Sequence, residues 1–150
     1  NNLLMQQPDG TFSEAGETAG IADTARSRGA ALVDLDGDGL LDLVVVNRRA
    51  PMRVYRNVTA NPGNAVHISV EGAAPNRFAL GARVTVTANG TRQSQQITIG
   101  GGHAGAVVAP LHFGLGQAGK AQVQVRWPDG SESAPMMVKA GGRVALRQTP

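Results

Sequence analysis

The sequence predicts an all-β protein: a short hairpin closed over an acidic loop, followed by a C-terminal antiparallel β-sandwich or barrel. Three observations carry this reading. Short runs rich in Val, Ile and Thr alternate with polar residues, as in His67-Ile68-Ser69-Val70 and Arg83-Val84-Thr85-Val86-Thr87, which is the period of a half-buried strand. The 150 residues are punctuated by 20 Gly and 8 Pro, a spacing that suits many short strands and turns rather than long helices. Asn89-Gly90 falls between two alternating runs, the strongest short-range signal for a tight hairpin.

The elements follow in order. Pro8-Asp9-Gly10 forms a turn, and residues 11–25, interrupted by Gly16 and Gly20, read as loop with at most a short helical turn. Strands are expected near 29–34, 41–47 and 52–57. The polar stretch Asn57-Val58-Thr59-Ala60-Asn61-Pro62-Gly63-Asn64 is the expected boundary, dividing the chain into parts 1–60 and 61–150. Further strands are expected at 67–70, 83–87, 92–99, 104–109, 121–127, 131–138 and 143–148, with Pro128-Asp129-Gly130 as a tight turn between two of them. Neither Gly100-Gly101-Gly102 nor Gly114-Leu115-Gly116 carries the Lys-Ser/Thr ending of a phosphate loop. Both read as turns with positive φ, or as bulges where strands approach closely.

Chemistry concentrates in Asp34-Leu35-Asp36-Gly37-Asp38-Gly39-Leu40-Leu41-Asp42. Carboxylates occupy the first, third, fifth and ninth positions of this loop. Packed so closely they repel one another, and a hard divalent cation converts that repulsion into binding. Gly37 and Gly39 let the backbone curl so that alternate side chains turn inward. Asp34, Asp36, Asp38 and Asp42 are the candidate side-chain ligands of Ca2+, and Leu40, whose side chain cannot ligate, would offer its carbonyl. An EF-hand requires a bidentate Glu at the twelfth position and flanking helices. Here that position is Val45, and the flanks are short and β-branched.

Composition excludes several classes. The absence of Cys removes disulfides and thiolate metal sites. Residues 1–60 carry a charge balance of −2 and residues 61–150 one of +5, within a net charge of +3. The basic residues of the second part are scattered and aromatics make up 3%, so the stripe and stacking platforms of a nucleic-acid surface are missing. No apolar run is long enough to span a bilayer. Arg supplies 12 of the 14 basic residues, with Lys120 and Lys139 the others, a bias associated with GC-rich bacterial genomes. The chain opens without Met and is read as a C-terminal piece of a longer protein.

Two resemblances emerge from these residues. Ala31-Leu32-Val33-Asp34-Leu35-Asp36-Gly37 is similar to the nucleophile strand of haloacid-dehalogenase-like phosphatases, but Asp38 stands where that family has Thr, and the later Lys and paired-Asp motifs are missing. The second covers far more. Gly10-Thr11-Phe12, Ala19-Gly20-Ile21, Arg28-Gly29 through Gly39, Asp42-Leu43-Val44-Val45 and Val54-Tyr55-Arg56-Asn57 together resemble one FG-GAP/VCBS-type repeat over about residues 1–60. Leu80-Gly81-Ala82-Arg83-Val84, Leu111-His112-Phe113-Gly114-Leu115-Gly116 and Trp127-Pro128-Asp129-Gly130 resemble the ASPIC/UnbV domain that often follows such repeats. The resemblance implies a propeller-blade-like calcium hairpin (a β-propeller blade with a calcium loop between two strands) and then a separate β domain. It carries no established catalytic mechanism.

The expected function is therefore a non-enzymatic, calcium-binding C-terminal module of a secreted bacterial repeat protein, extracellular or periplasmic, engaging a protein or glycan partner. The alternatives are a carbohydrate-binding module using Trp127 or Tyr55, and an accessory domain of an extracellular enzyme. His67 and His103 are expected to be structural. His112, between Leu111 and Phe113, points away from both in an extended strand, where it can orient a loop by hydrogen bonding. Trp127 is expected in the core, and the sequon Asn57-Val58-Thr59 is read as chance.

Overall fold

Alternating apolar residues form strands wherever a second strand is available to cover one face, and nearly every expected run does so. The computed structural model describes residues 1–100 and 109–149. Among these, strands β1 to β12 form and no helix does.

In the first part, β1 (Leu4–Gln6) and β2 (Phe12–Glu14) pair antiparallel around the Pro8-Asp9-Gly10 turn. Gly10 takes φ 85° there, and Asp9 Oδ1 accepts hydrogen bonds from Thr11 N and Thr11 Oγ1 at 2.9 and 2.7 Å. The expected loop over 11–25 thus opens as a strand, because β1 supplies a partner that local propensity does not register. Next, β3 (Ser27–Val33), β4 (Asp42–Asn47) and β5 (Arg53–Tyr55) make an antiparallel sheet in that order. The acidic loop is the β3–β4 connection. Val45, 3% exposed, is the one buried apolar side chain of this part among the described residues, while Leu4, Phe12, Leu32, Met52 and Val54 are each more than half exposed.

The second part is a two-sheet sandwich. β6 (Asn64–Glu71), β9 (Leu111–Gly116) and β12 (Arg143–Arg147) form one sheet, ordered β12-β6-β9. β7 (Arg83–Ala88), β8 (Thr91–Gln96), β10 (Lys120–Arg126) and β11 (Met136–Lys139) form the other, ordered β11-β10-β7-β8. Val84 and Val86 of β7, Val123 and Val125 of β10, Val66 and Ile68 of β6 and Phe113 of β9 meet between the sheets, fully buried. Their outward neighbours Thr85, Gln122 and Gln124 are polar, as period-2 patterning requires. Trp127 joins this core at 5% exposure.

Turn chemistry follows the sequence. Asn89 and Gly90 both take positive φ, 47° and 79°, with Ala88 opposite Thr91, the conformation a two-residue hairpin needs. Gly116 has φ 56° beside a register shift at Asn64/Ala65, and a Cβ on Gly63 would lie 3.0 Å from the Gly116 carbonyl oxygen. This is the bulge and close approach expected of the Gly114-Leu115-Gly116 run. On the open side of the sandwich, Gln93 and Gln95 of β8 donate side-chain N–H groups to the Gly114 and His112 carbonyls of β9, both at 2.6 Å. Two edge strands thereby satisfy backbone acceptors that would otherwise invite pairing with another chain.

Three differences from expectation stand out. β12 pairs with β6 in parallel, so the sandwich is not wholly antiparallel. The run expected as a strand over 131–138 is a strand only from Met136. Before it, Ser133 turns inward to bond Val125 through both its amide and its hydroxyl, at 2.8 and 3.0 Å. The run Leu111–Gly116, absent from the expected strands, forms β9 in full. Residues 104–108 of the strand expected at 104–109, together with Gly101, Gly102 and His103, lie outside the described residues.

Candidate metal centre

The β3–β4 connection curls because Gly37 and Gly39 adopt φ of 79° and 91°, a region that side chains with a Cβ disfavour. Each Asp then caps the loop's own backbone. Asp34 Oδ1 accepts from Gly37 N at 2.8 Å and its Oδ2 from Gly39 N at 3.3 Å. Asp38 Oδ1 accepts from Leu40 N at 2.9 Å. Asp42 opens β4 and is 2% exposed. Its Oδ2 accepts from Leu35 N at 3.0 Å and its Oδ1 from Asn57 N at 2.8 Å. Those amides, Asn57 first and then Leu35, hold the Asp42 carboxyl below the ordinary carboxylate range despite burial.

One carboxylate oxygen from each of Asp34, Asp36 and Asp42 lies within 4.8 Å of the other two. Two oxygens that share a calcium ion sit at about 2.4 Å from it and so no more than about 5 Å apart. The donors are hard, anionic and oxygen-only, so this set fits calcium in kind and spacing. Among the described residues it is the only group of three or more metal-capable side chains that converges. Asp38 stands outside the group, with its Oδ2 3.6 Å from Arg56 Nη2. Leu40, the candidate carbonyl donor, is held at its amide by Asp38.

Two guanidinium groups offset the crowding of charge. Arg56 Nε lies 2.7 Å from Asp36 Oδ2, and Arg143 Nη2 lies 3.1 Å from Asp34 Oδ2. Both arginine side chains are more than 60% exposed, so each pair contributes no more than about 1 kcal/mol. Arg56 and Asn57 leave β5 and reach back to the loop together, Asn57 also donating from Nδ2 to the Leu41 carbonyl at 3.2 Å. That engagement gives the Asn of the sequon a structural role.

The second part of the chain closes over the loop from the other side. Arg143, His67 and His112 are register partners across β12, β6 and β9, so they form one row on the outer face of that sheet. His112 Nε2 lies 3.0 Å from the Gly39 carbonyl oxygen, the loop-orienting bond expected of it. His67 is 7% exposed, its ring 5.0 Å from that of His112. Its Nε2 lies 3.5 Å from Asp34 Oδ2 and makes no hydrogen bond to any described residue. Burial, then the neighbouring His112 and Arg143, keep the His67 imidazole below its ordinary pKa in spite of the Asp34 carboxylate. His67 and Arg143 carry no sequence signal for this place, since 109 residues separate Arg143 from Asp34.

The remaining candidates resolve into structure. Trp127 is buried in the core, which removes it as a sugar-stacking platform. Glu71 pairs with Arg147 at 2.9 Å, Glu132 accepts from Gln124 Nε2 at 3.1 Å, and Asp129 accepts from Ser131 within the Trp127-Pro128-Asp129-Gly130 turn. The Ser131 hydroxyl, then its amide, hold the Asp129 carboxyl below the ordinary range.

The sandwich and the loop-bearing sheet define a protein made of an FG-GAP-like repeat and an ASPIC/UnbV domain. The ASPIC and UnbV family model matches residues 72–150, more than half of the chain, and an FG-GAP-like repeat model matches residues 1–45. The chain belongs to the ASPIC/UnbV family. It is similar to cartilage acidic protein 1 of Mus musculus and of Homo sapiens, each 29% identical over 132 residues that cover 85% of this chain and 20% of the relative. The same protein of Xenopus tropicalis is 30% identical over 109 residues, 70% of this chain and 17% of the relative. The chain thus spans about a fifth of the length of the curated relatives it matches.

Proposed function

We propose that this chain is a non-enzymatic calcium-binding module of a larger secreted repeat protein, built as a blade-like unit over 1–60 and an interaction or capping domain over 61–150. Asp34, Asp36, Asp38 and Asp42 supply side-chain oxygens and Leu40 a main-chain one. The observation that carries the reading is the convergence of Asp34, Asp36 and Asp42 oxygens within 4.8 Å in a loop already curled by two positive-φ glycines. Calcium screens these carboxylates from one another and ties β3 to β4, so its binding free energy adds to folding. Extracellular modules hold calcium in the range of about 0.1–1 mM, which agrees with an extracellular or periplasmic home. The FG-GAP-like repeat and the likeness to cartilage acidic protein 1 support the same compartment. The partner is a protein or a glycan. No helix among the described residues is long and apolar enough to cross a membrane.

Calorimetric titration with calcium, paired with melting in calcium and in EDTA, tests this. One bound ion and a higher melting temperature in calcium are expected. Asp36 is the informative ligand to remove, because its side chain is 39% exposed and its loss leaves the buried network intact. Asp36→Ala should weaken calcium binding at least tenfold, on the order of a lost charged ligand, and abolish most of the calcium-dependent rise in melting temperature. Unchanged affinity in that variant sinks the ligand assignment.

A further inference from the structure

We infer that the row Arg143–His67–His112 is the seat of the metal loop, and that His112 is a positioning residue for the calcium site although it belongs to the other domain. The inference rests on the calcium reading above and extends it to residues that no repeat motif contains.

Four observations converge. The three side chains are direct register partners across β12, β6 and β9, so the sheet presents them as one rigid line. Each meets the loop: Arg143 Nη2 at 3.1 Å from Asp34 Oδ2, His67 Nε2 at 3.5 Å from the same oxygen, and His112 Nε2 at 3.0 Å from the Gly39 carbonyl. β6 has three consecutive buried residues, Val66, His67 and Ile68, where a one-faced strand would bury only alternate ones. His67, on the outward face, is buried there with an unpartnered nitrogen aimed at Asp34. A sheet that spends a buried imidazole on a loop is shaped to receive that loop.

The consequence concerns affinity. Groups that hold a metal site's ligands in place from outside set its affinity, and removing one lowers that affinity by about 10–100-fold. The His112 N–H donated to the Gly39 carbonyl fixes the middle of the loop, between Asp38 and Leu40. The site's affinity then belongs to the two-domain unit rather than to the repeat alone. Calcium binding and docking of the ASPIC/UnbV domain on the hairpin are coupled, each strengthening the other.

Calorimetric calcium titration of the 150-residue chain tests this with His112→Phe, which keeps a ring against His67 but has no donor, and His112→Gln, whose amide N–H reaches in the same direction. Folding is checked by Trp127 emission. His112→Phe should weaken calcium binding by about tenfold and His112→Gln should restore most of the loss. Hydrogen exchange in EDTA gives a readout without metal: the Gly37 and Gly39 amides should exchange faster in His112→Phe than in wild type. Wild-type affinity and wild-type exchange in His112→Phe overturn the seat while leaving the calcium reading standing, and a His112→Gln as weak as His112→Phe overturns the hydrogen-bond basis. A wild-type chain that binds no calcium overturns the calcium reading, and the coupling with it.

Discussion

His67 shows how one residue's environment sets a property of the whole chain. Burial of its imidazole, then the neighbouring His112, with Arg143 adding last, outweigh Asp34 in favouring the neutral form. A depressed pKa means the unfolded chain binds the proton more readily than the folded one, so stability rises with pH. The contribution is complete above the unfolded value of about 6.5 and is lost as pH falls through the lower folded value. Melting temperature in EDTA should therefore be level from pH 8 to 7 and decline as pH drops below about 6.5, well above the range where Asp42 and Asp129 protonate. His67→Gln should flatten that decline. A wild-type profile without any slope between pH 6.5 and 5 would contradict a neutral His67. The identity of the residue alone says only that it can titrate; its direction comes first from burial and then from His112, which is distant in sequence.

Strands and turns answer to more local causes. Asn89-Gly90 was legible because a tight hairpin needs two positive φ values, and these residues tolerate them best. Nothing lies within 4 Å of a Cβ built on Gly90, so Gly90→Ala is a test of backbone strain alone. It should destabilise the sandwich by about 1–2 kcal/mol, read from urea denaturation. A cost near zero would mean that the turn is not held at positive φ. The acidic loop was legible for a similar reason, since alternate carboxylates between glycines are a local pattern. β2 and the parallel direction of β12 were not. A three-residue strand carries too little pattern to be told from loop, and β12 alternates equally well whichever direction its neighbour runs, because the period-2 face is the same in parallel and antiparallel pairs.

At the scale of the molecule, stability is unevenly shared. The buried apolar core lies almost wholly in the second part, whereas the first contributes Val45 and exposes several large side chains. Phe113, between the sheets, is its largest fully buried side chain. Phe113→Ala should cost about 3–5 kcal/mol, a large share of the 5–15 kcal/mol typical of a domain. Trp127, the single tryptophan, reports that loss directly through its emission in urea. A shift below about 1 kcal/mol would be inconsistent with a well-packed site.

What the sequence alone determined about this protein is what short-range physics writes: the period of the strands, the positive-φ turns, the oxygen-rich loop, and the order of a repeat and a following β domain. Even the outward turn of His112 was readable, because successive side chains in a strand point to opposite faces. The tertiary structure decided what lies opposite what. It ran β12 parallel to β6 and laid Arg143, His67 and His112 in one row against Asp34 and Gly39. The reason is that register and docking minimise the free energy of the packed whole, whose terms couple residues more than a hundred positions apart, and no local pattern carries that information.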